Sequence, residues 1–137
     1  MKRMVAILVT LGVLGSGGAL LAEDSGYLTS VGSGETQIPV VVVRGTPYEM
    51  GRRQGELIRE GATQFIHTLM ERIQAGDPER FADANLDAAW QAISPHTDPR
   101  FHEELRGLAE GLGLPLATLQ RAHAVPVVAD YACSSIA

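Results

Sequence analysis

Ile38-Pro39-Val40-Val41-Val42-Val43-Arg44-Gly45-Thr46-Pro47-Tyr48-Glu49-Met50-Gly51-Arg52-Arg53-Gln54-Gly55 is where the chain changes from strand to helix. The β-branched run up to Arg44 is bounded by Pro and Gly and reads as a buried strand. Thr46 can cap a helix, Pro47 suits its first turn, and Glu49 stands three residues after Thr46, as a capping box requires. The helix is expected to run to about Ala75, with an apolar stripe of Ile58, Phe65, Ile66, Leu69 and Ile73. Gly76-Asp77-Pro78 ends it. Gly51 and Gly55 lie one helical turn apart, where each costs about 1 kcal/mol relative to Ala. Two on one face point to close backbone approach by another element, with no direct chemical role.

Downstream of that helix the pattern stays helical. A second segment is expected over about residues 78–93, with Phe81, Leu86, Ala89, Trp90 and Ile93 on one side and Trp90 as a core anchor. Asp98 caps a third helix with Pro99 at its first position. Phe101, Leu105, Leu108 and Leu112 recur at helical spacing, and Gly111 and Gly113 stop it. A fourth helix begins near Pro115 and carries Leu116, Leu119 and Ala122, and Pro126 interrupts or kinks it. The segment from Cys133 to Ala137 has strand character. One strand near the start and half a strand at the end do not make a sheet, and an unpaired apolar strand is an aggregation hazard. The chain is therefore expected to be the front piece of something longer.

Upstream, residues 1–22 read as a secretory signal. Lys2 and Arg3 form the basic region, Val5 to Leu14 the apolar one, and Ala22 the small residue before the cut, with Ala19 as the alternative site. The expectation is export to a periplasm or the medium, with no membrane attachment after signal removal. Residues 23–37 are rich in Gly, Ser and Thr and read as a flexible lead. Residues 38–132 then form a helical segment with one strand, and residues 133–137 begin a β-segment. Without Lys2 and Arg3, nine basic residues face 16 acidic ones, a net charge of −7. No Lys/Arg run or basic patch is present, so nucleic-acid binding and tight binding to anionic lipid are not expected.

Cys133 is the only cysteine and cannot form an internal disulfide. In an oxidising compartment an unpaired thiol is uncommon and reactive. The four histidines His67, His96, His102 and His123 fall in different elements, and no paired-cysteine or His-Glu-x-x-His spacing occurs, so neither a metal nor another cofactor is expected. His96 or His102 are candidate bases for the Cys133 thiol. Glu103-Glu104 and Arg52-Arg53 read most simply as solvated helix faces.

Three blocks occur in a telling order: the strand followed by residues 45–57, then Phe101-His102-Glu103-Glu104-Leu105-Arg106-Gly107-Leu108-Ala109-Glu110-Gly111-Leu112-Gly113, then Cys133-Ser134-Ser135. In these blocks the chain resembles the front part of the acyl-coenzyme A:6-aminopenicillanic acid acyltransferase-like family of autoprocessing cysteine N-terminal-nucleophile hydrolases. The resemblance implies an α+β fold, a four-layer αββα sandwich of which this chain is the mostly helical front segment. It further implies a precursor that cuts its own backbone at Ala132–Cys133, making Cys133 an N-terminal nucleophile. The freed α-amine, with a pKa of about 7.7–8.0, would serve as base.

The resemblance implies a small acylated substrate, handled through a thioester acyl-enzyme by hydrolysis or acyl transfer. It also implies that the chain's own later β-segment is a partner, and that this piece alone is inactive. Ser135 matches a hydroxyl position near the nucleophile, either assisting processing or standing as an ordinary strand serine. Asp130 and Tyr131 flank the cut, where either contacts substrate or only shapes the loop. Ala132 stands where a Gly is also familiar, and the side chain stays small. The rival reading is an exported helical interaction domain in which Cys133 is incidental.

Overall fold

The computed structural model describes residues 25–129. They form an α+β unit that is mostly helical, with one small antiparallel sheet. The strands are β1 (Gly26–Val31) and β2 (Ile38–Val43), and the helices are α1 (Pro47–Gly76), α2 (Asp83–Ile93), α3 (Pro99–Leu112) and α4 (Leu116–Val128). The candidate residues Asp130, Ala132, Cys133 and Ser135 and the expected signal, residues 1–22, lie outside the described part.

The strand-to-helix reading of residues 38–55 holds at the helix. Thr46 Oγ1 accepts a hydrogen bond from the Glu49 amide at 3.3 Å, and the Thr46 amide donates to the Glu49 carboxylate at 2.8 Å. These two bonds close the capping box, and the Thr46 amide together with the Thr46 hydroxyl, which also donates to the Glu49 carboxylate at 2.8 Å, holds the Glu49 carboxyl below its ordinary pKa. Gly45, at φ 128°, makes the turn between strand and helix, a conformation open mainly to glycine.

The strand itself needs two corrections. It is not unpaired: the lead expected to be without structure supplies β1. Tyr27 faces Val42 and Leu28 faces Val41 across the ladder. The lead's Gly/Ser/Thr content hid a strand that needs only alternation and a partner, and its glycines serve the connecting loop, where Gly32 and Gly34 adopt positive φ. Nor is the strand buried. Ile38 is 62% exposed and Val40 to Val43 are only half-buried, while across the ladder Tyr27 and Val31 of β1 are 52% and 55% exposed. By the pleat, Tyr27, Thr29 and Val31 share one face with Val42, Val40 and Ile38, while Gly26 and Val43 lie on the other. The first of these faces carries no layer over Tyr27, Val31 and Ile38 among the described residues.

The core sits among the four helices. Leu86 is completely buried, joined by Trp90, Leu105, Ala109, Leu112, Leu119, Ala124 and Val125. Ile58, Ile66, Met70 and Ile73 of α1 pack against it. Phe65, expected in that stripe, is 65% exposed, and in place of Leu69, also expected there, its neighbour Met70 packs on the core. The second helix starts at Asp83 rather than near Pro78. Residues 77–82 form a hydrogen-bonded loop instead, in which Asp77 Oδ1 accepts from the Arg80 amide at 3.0 Å. Gly113, at φ 73°, ends α3 as expected, whereas Gly111 is buried inside the helix. Pro126 does not end α4, which continues to Val128. A proline this close to the end of a helix breaks little of its ladder.

Candidate functional site

The two sequence blocks from helices α1 and α3 are in direct contact. A Cβ built on Gly51 would stand 2.0 Å from the Glu104 carbonyl oxygen, and one on Gly55 would stand 2.7 Å from that of Leu108. The reverse also holds. A Cβ on Gly107 would meet the Tyr48 carbonyl oxygen at 2.0 Å, and one on Gly111 that of Arg52 at 2.1 Å. Four glycines, two per helix and each pair four residues apart, thus let two backbones touch. Residue numbers rise together along both helices, so α1 and α3 run in the same direction. Close approach of this kind trades side-chain burial for backbone van der Waals contact and Cα–H···O contacts. The sequence pointed to Gly51 and Gly55. It offered Gly107 and Gly111 at the same spacing, which was the signal for their partner.

Side chains finish this seam. The Tyr48 hydroxyl donates a short hydrogen bond to Glu110, which raises its pKa above the usual value, and the Arg106 guanidinium lies 5.2 Å over the Tyr48 ring. Arg59 donates to the Gly111 carbonyl at 2.9 Å. Arg52 and Arg53, read as a solvated face, divide the work. Arg52 pairs with Glu56 at 3.0 Å on the surface. Arg53 grips the Gly26 carbonyl with Nε at 3.1 Å and with a terminal nitrogen at 2.9 Å, tying the hairpin to α1. Glu103 pairs with Arg106.

The histidines do not converge on one point. His67 and His96 are exposed. His102 Nε2 lies 3.1 Å from the Ser94 carbonyl oxygen, and its ring meets Trp90 edge-on at 5.6 Å. His123 meets Phe101 edge-on at 5.2 Å, and the loss of hydration there lowers its pKa. Among the described residues no group of three or more His, Cys, Asp or Glu could hold a metal ion. No helix among them is long and apolar enough to cross a membrane.

The described chain leads toward Cys133 through α4, and that helix is held by arginines that the sequence reading passed over. Arg121 forks onto Asp87, with Nε to Oδ1 at 2.7 Å and a terminal nitrogen to Oδ2 at 2.8 Å, and it also bonds Asp83. The fork holds the Asp87 carboxyl below its ordinary pKa. Arg80 Nε donates to the carbonyl of Val128, the last residue of α4, at 2.8 Å. The available signal was Asp83 and Asp87, two carboxylates one turn apart on α2.

No family model and no solved structure matches this chain. It is similar to two curated proteins of Dictyostelium discoideum. Protein dcd1B is 29% identical over 137 aligned positions, covering 85% of this chain and 27% of that protein. Protein dcd1A is 26% identical over 130, covering 81% and 30%. The chain therefore spans less than a third of the length of the curated relatives it matches.

Proposed function

We propose that this chain is the front part of an autoprocessing acyltransferase or amide hydrolase whose nucleophile is Cys133, within the αββα sandwich that the sequence resemblance implies. The observation that carries this reading is the glycine seam. The two upstream blocks on which the resemblance rests, residues 45–57 and 101–113, meet backbone to backbone, so their small residues are required together. The uncovered apolar face of the hairpin and the greater length of the relatives fit a chain that continues into further β-structure.

In the proposed self-cleavage the Cys133 sulfur bonds to the Ala132 carbonyl carbon, and the Ala132–Cys133 C–N bond breaks. The thiol proton ends on the freed amine. Water then opens the thioester, leaving a carboxyl on Ala132 and returning the thiol. The mature Cys133 carries nucleophile and base on one residue, and its substrates pass through a thioester to water or an amine.

Intact-mass measurement and N-terminal sequencing of the protein made in its own source test this reading. The expected result is a polypeptide beginning Cys133-Ser134-Ser135, lost in Cys133→Ala. An uncut chain with an inert thiol would leave an exported helical interaction domain instead.

A further inference from the structure

The phase of the β1–β2 ladder decides which backbone groups of the hairpin look outward. The Arg44 amide donates to the Ser25 carbonyl at 2.8 Å, so Ser25 and Arg44 form a hydrogen-bonded pair. In an antiparallel ladder such pairs alternate with pairs that exchange no bond. Tyr27–Val42, Thr29–Val40 and Val31–Ile38 therefore bond inward. The backbone groups of Gly26, Leu28 and Ser30 on β1, and of Pro39, Val41 and Val43 on β2, point away from the ladder.

The two outer edges are not equivalent. On β1 the Gly26 carbonyl is already taken by the Arg53 guanidinium, at 3.1 and 2.9 Å, and the Arg53 side chain stands beside the first residue of the strand. On β2 Pro39 has no N–H to offer, so the open stretch runs from Val41 to Val43. Among the described residues, the outward amides and carbonyls of Val41 and Val43 meet no partner. No charged side chain lies between Gln37 and Val43, although charge is a common guard on an exposed edge.

Under a two-fold axis this stretch matches itself. With Val42 opposite the partner's Val42, Val41 stands opposite the partner's Val43 and Val43 opposite the partner's Val41. Each outward amide then meets an outward carbonyl. The bare face of Ile38, Val40 and Val42 continues across the join, and Arg44 stands opposite the partner's Val40 rather than another cation. We propose that the outer edge of β2 is the surface through which two copies of this chain pair, antiparallel, joining their two-stranded sheets into one. The arrangement is closed: it uses β2 of both copies and leaves β1, with Arg53 beside it, at either end, so assembly stops at the dimer. It goes beyond the reading of Cys133 and does not depend on it.

The test uses the full 137-residue chain and two readouts, its mass by sedimentation over a range of concentrations and the hydrogen exchange of single amides. A monomer–dimer equilibrium is expected. As it moves toward dimer, the Val41 and Val43 amides should exchange about 10-fold more slowly, while those of Leu28 and Ser30 keep their monomer rates. Val41→Pro removes an outward donor and no ladder bond, and it should abolish the dimer. Leu28→Pro makes the same change on the other edge and should leave the dimer intact. The exchange rates need no variant, so they decide the matter even where a proline variant unfolds. A chain that stays monomeric at every concentration overturns the inference. So does protection of Val41 and Val43 that is independent of concentration, which would put a segment of the same chain on this edge. A dimer that survives Val41→Pro, or that Leu28→Pro weakens equally, overturns it as well.

Discussion

Glycine at residues 51, 55, 107 and 111 is a packing requirement, and the same atom added elsewhere on α1 should act in the opposite sense. Gly61 has nothing within 4 Å of a built Cβ. Gly61→Ala should therefore stabilise by roughly 0.5–1 kcal/mol, the ordinary gain in helix propensity. Gly107→Ala gains the same propensity but drives a methyl to 2.0 Å from the Tyr48 carbonyl oxygen. Backbone cannot swing aside as a flexible side chain does, so the helices must part, at a cost of about 1–3 kcal/mol or more. Urea unfolding midpoints of the two variants should move in opposite directions. Equal shifts would mean the seam is looser than described. The Thr46 cap, Gly51, Gly55 and Trp90 were legible in the sequence because each answers to a local rule or to one helix's periodicity. Arg53 and Arg80 were not, because each bonds a backbone carbonyl 27 or 48 residues away and nothing local marks it.

Among the elements, the meeting of α3 and α4 at Phe101 and His123 should respond to acid. His123 has its pKa lowered by burial, so the unfolded chain binds its proton more readily than the folded one. The contribution is fully present above the ordinary imidazole value, about 6.5, and is lost as pH falls below it through the lower folded value. Melting temperature should drop between pH 7.5 and pH 5.5, and the drop should be smaller in His123→Gln. An unchanged pH dependence in that variant would place the sensitivity elsewhere. The helices themselves were readable, since α1 and α3 carry long apolar periods with capping and stop signals, and α4 an apolar period that opens at Pro115. Strand β1 was not. Its residues alternate without a strong apolar face, and it exists because β2 pairs with it and Arg53 holds its first carbonyl. Phe65 shows the limit of periodicity, which finds a stripe but not which of two adjoining positions turns inward.

For the molecule as a whole, the hairpin is the exposed flank. Tyr27, Val31 and Ile38 present apolar surface and both strands have free outer edges within the described sheet, a combination prone to pairing between copies. The 137-residue chain should self-associate as its concentration rises, and Ile38→Lys should suppress this without altering the melting temperature by more than a few degrees. Light scattering against concentration reads the difference. Scattering that is the same in both proteins would locate the contact on another surface, such as that around Phe65.

The parallel run of α1 and α3 also sets a timetable for synthesis. Gly51 leaves the ribosome 56 residues before Gly107, the glycine opposite it in the seam. At about 5–20 residues per second, the nascent α1 waits roughly 3–11 s with its contact face bare. Its thirty residues cannot settle by local rules alone, because the surface that completes them has not yet been translated. A chain whose first helix shows a bare contact face until late in translation is one that chaperones can bind and hold.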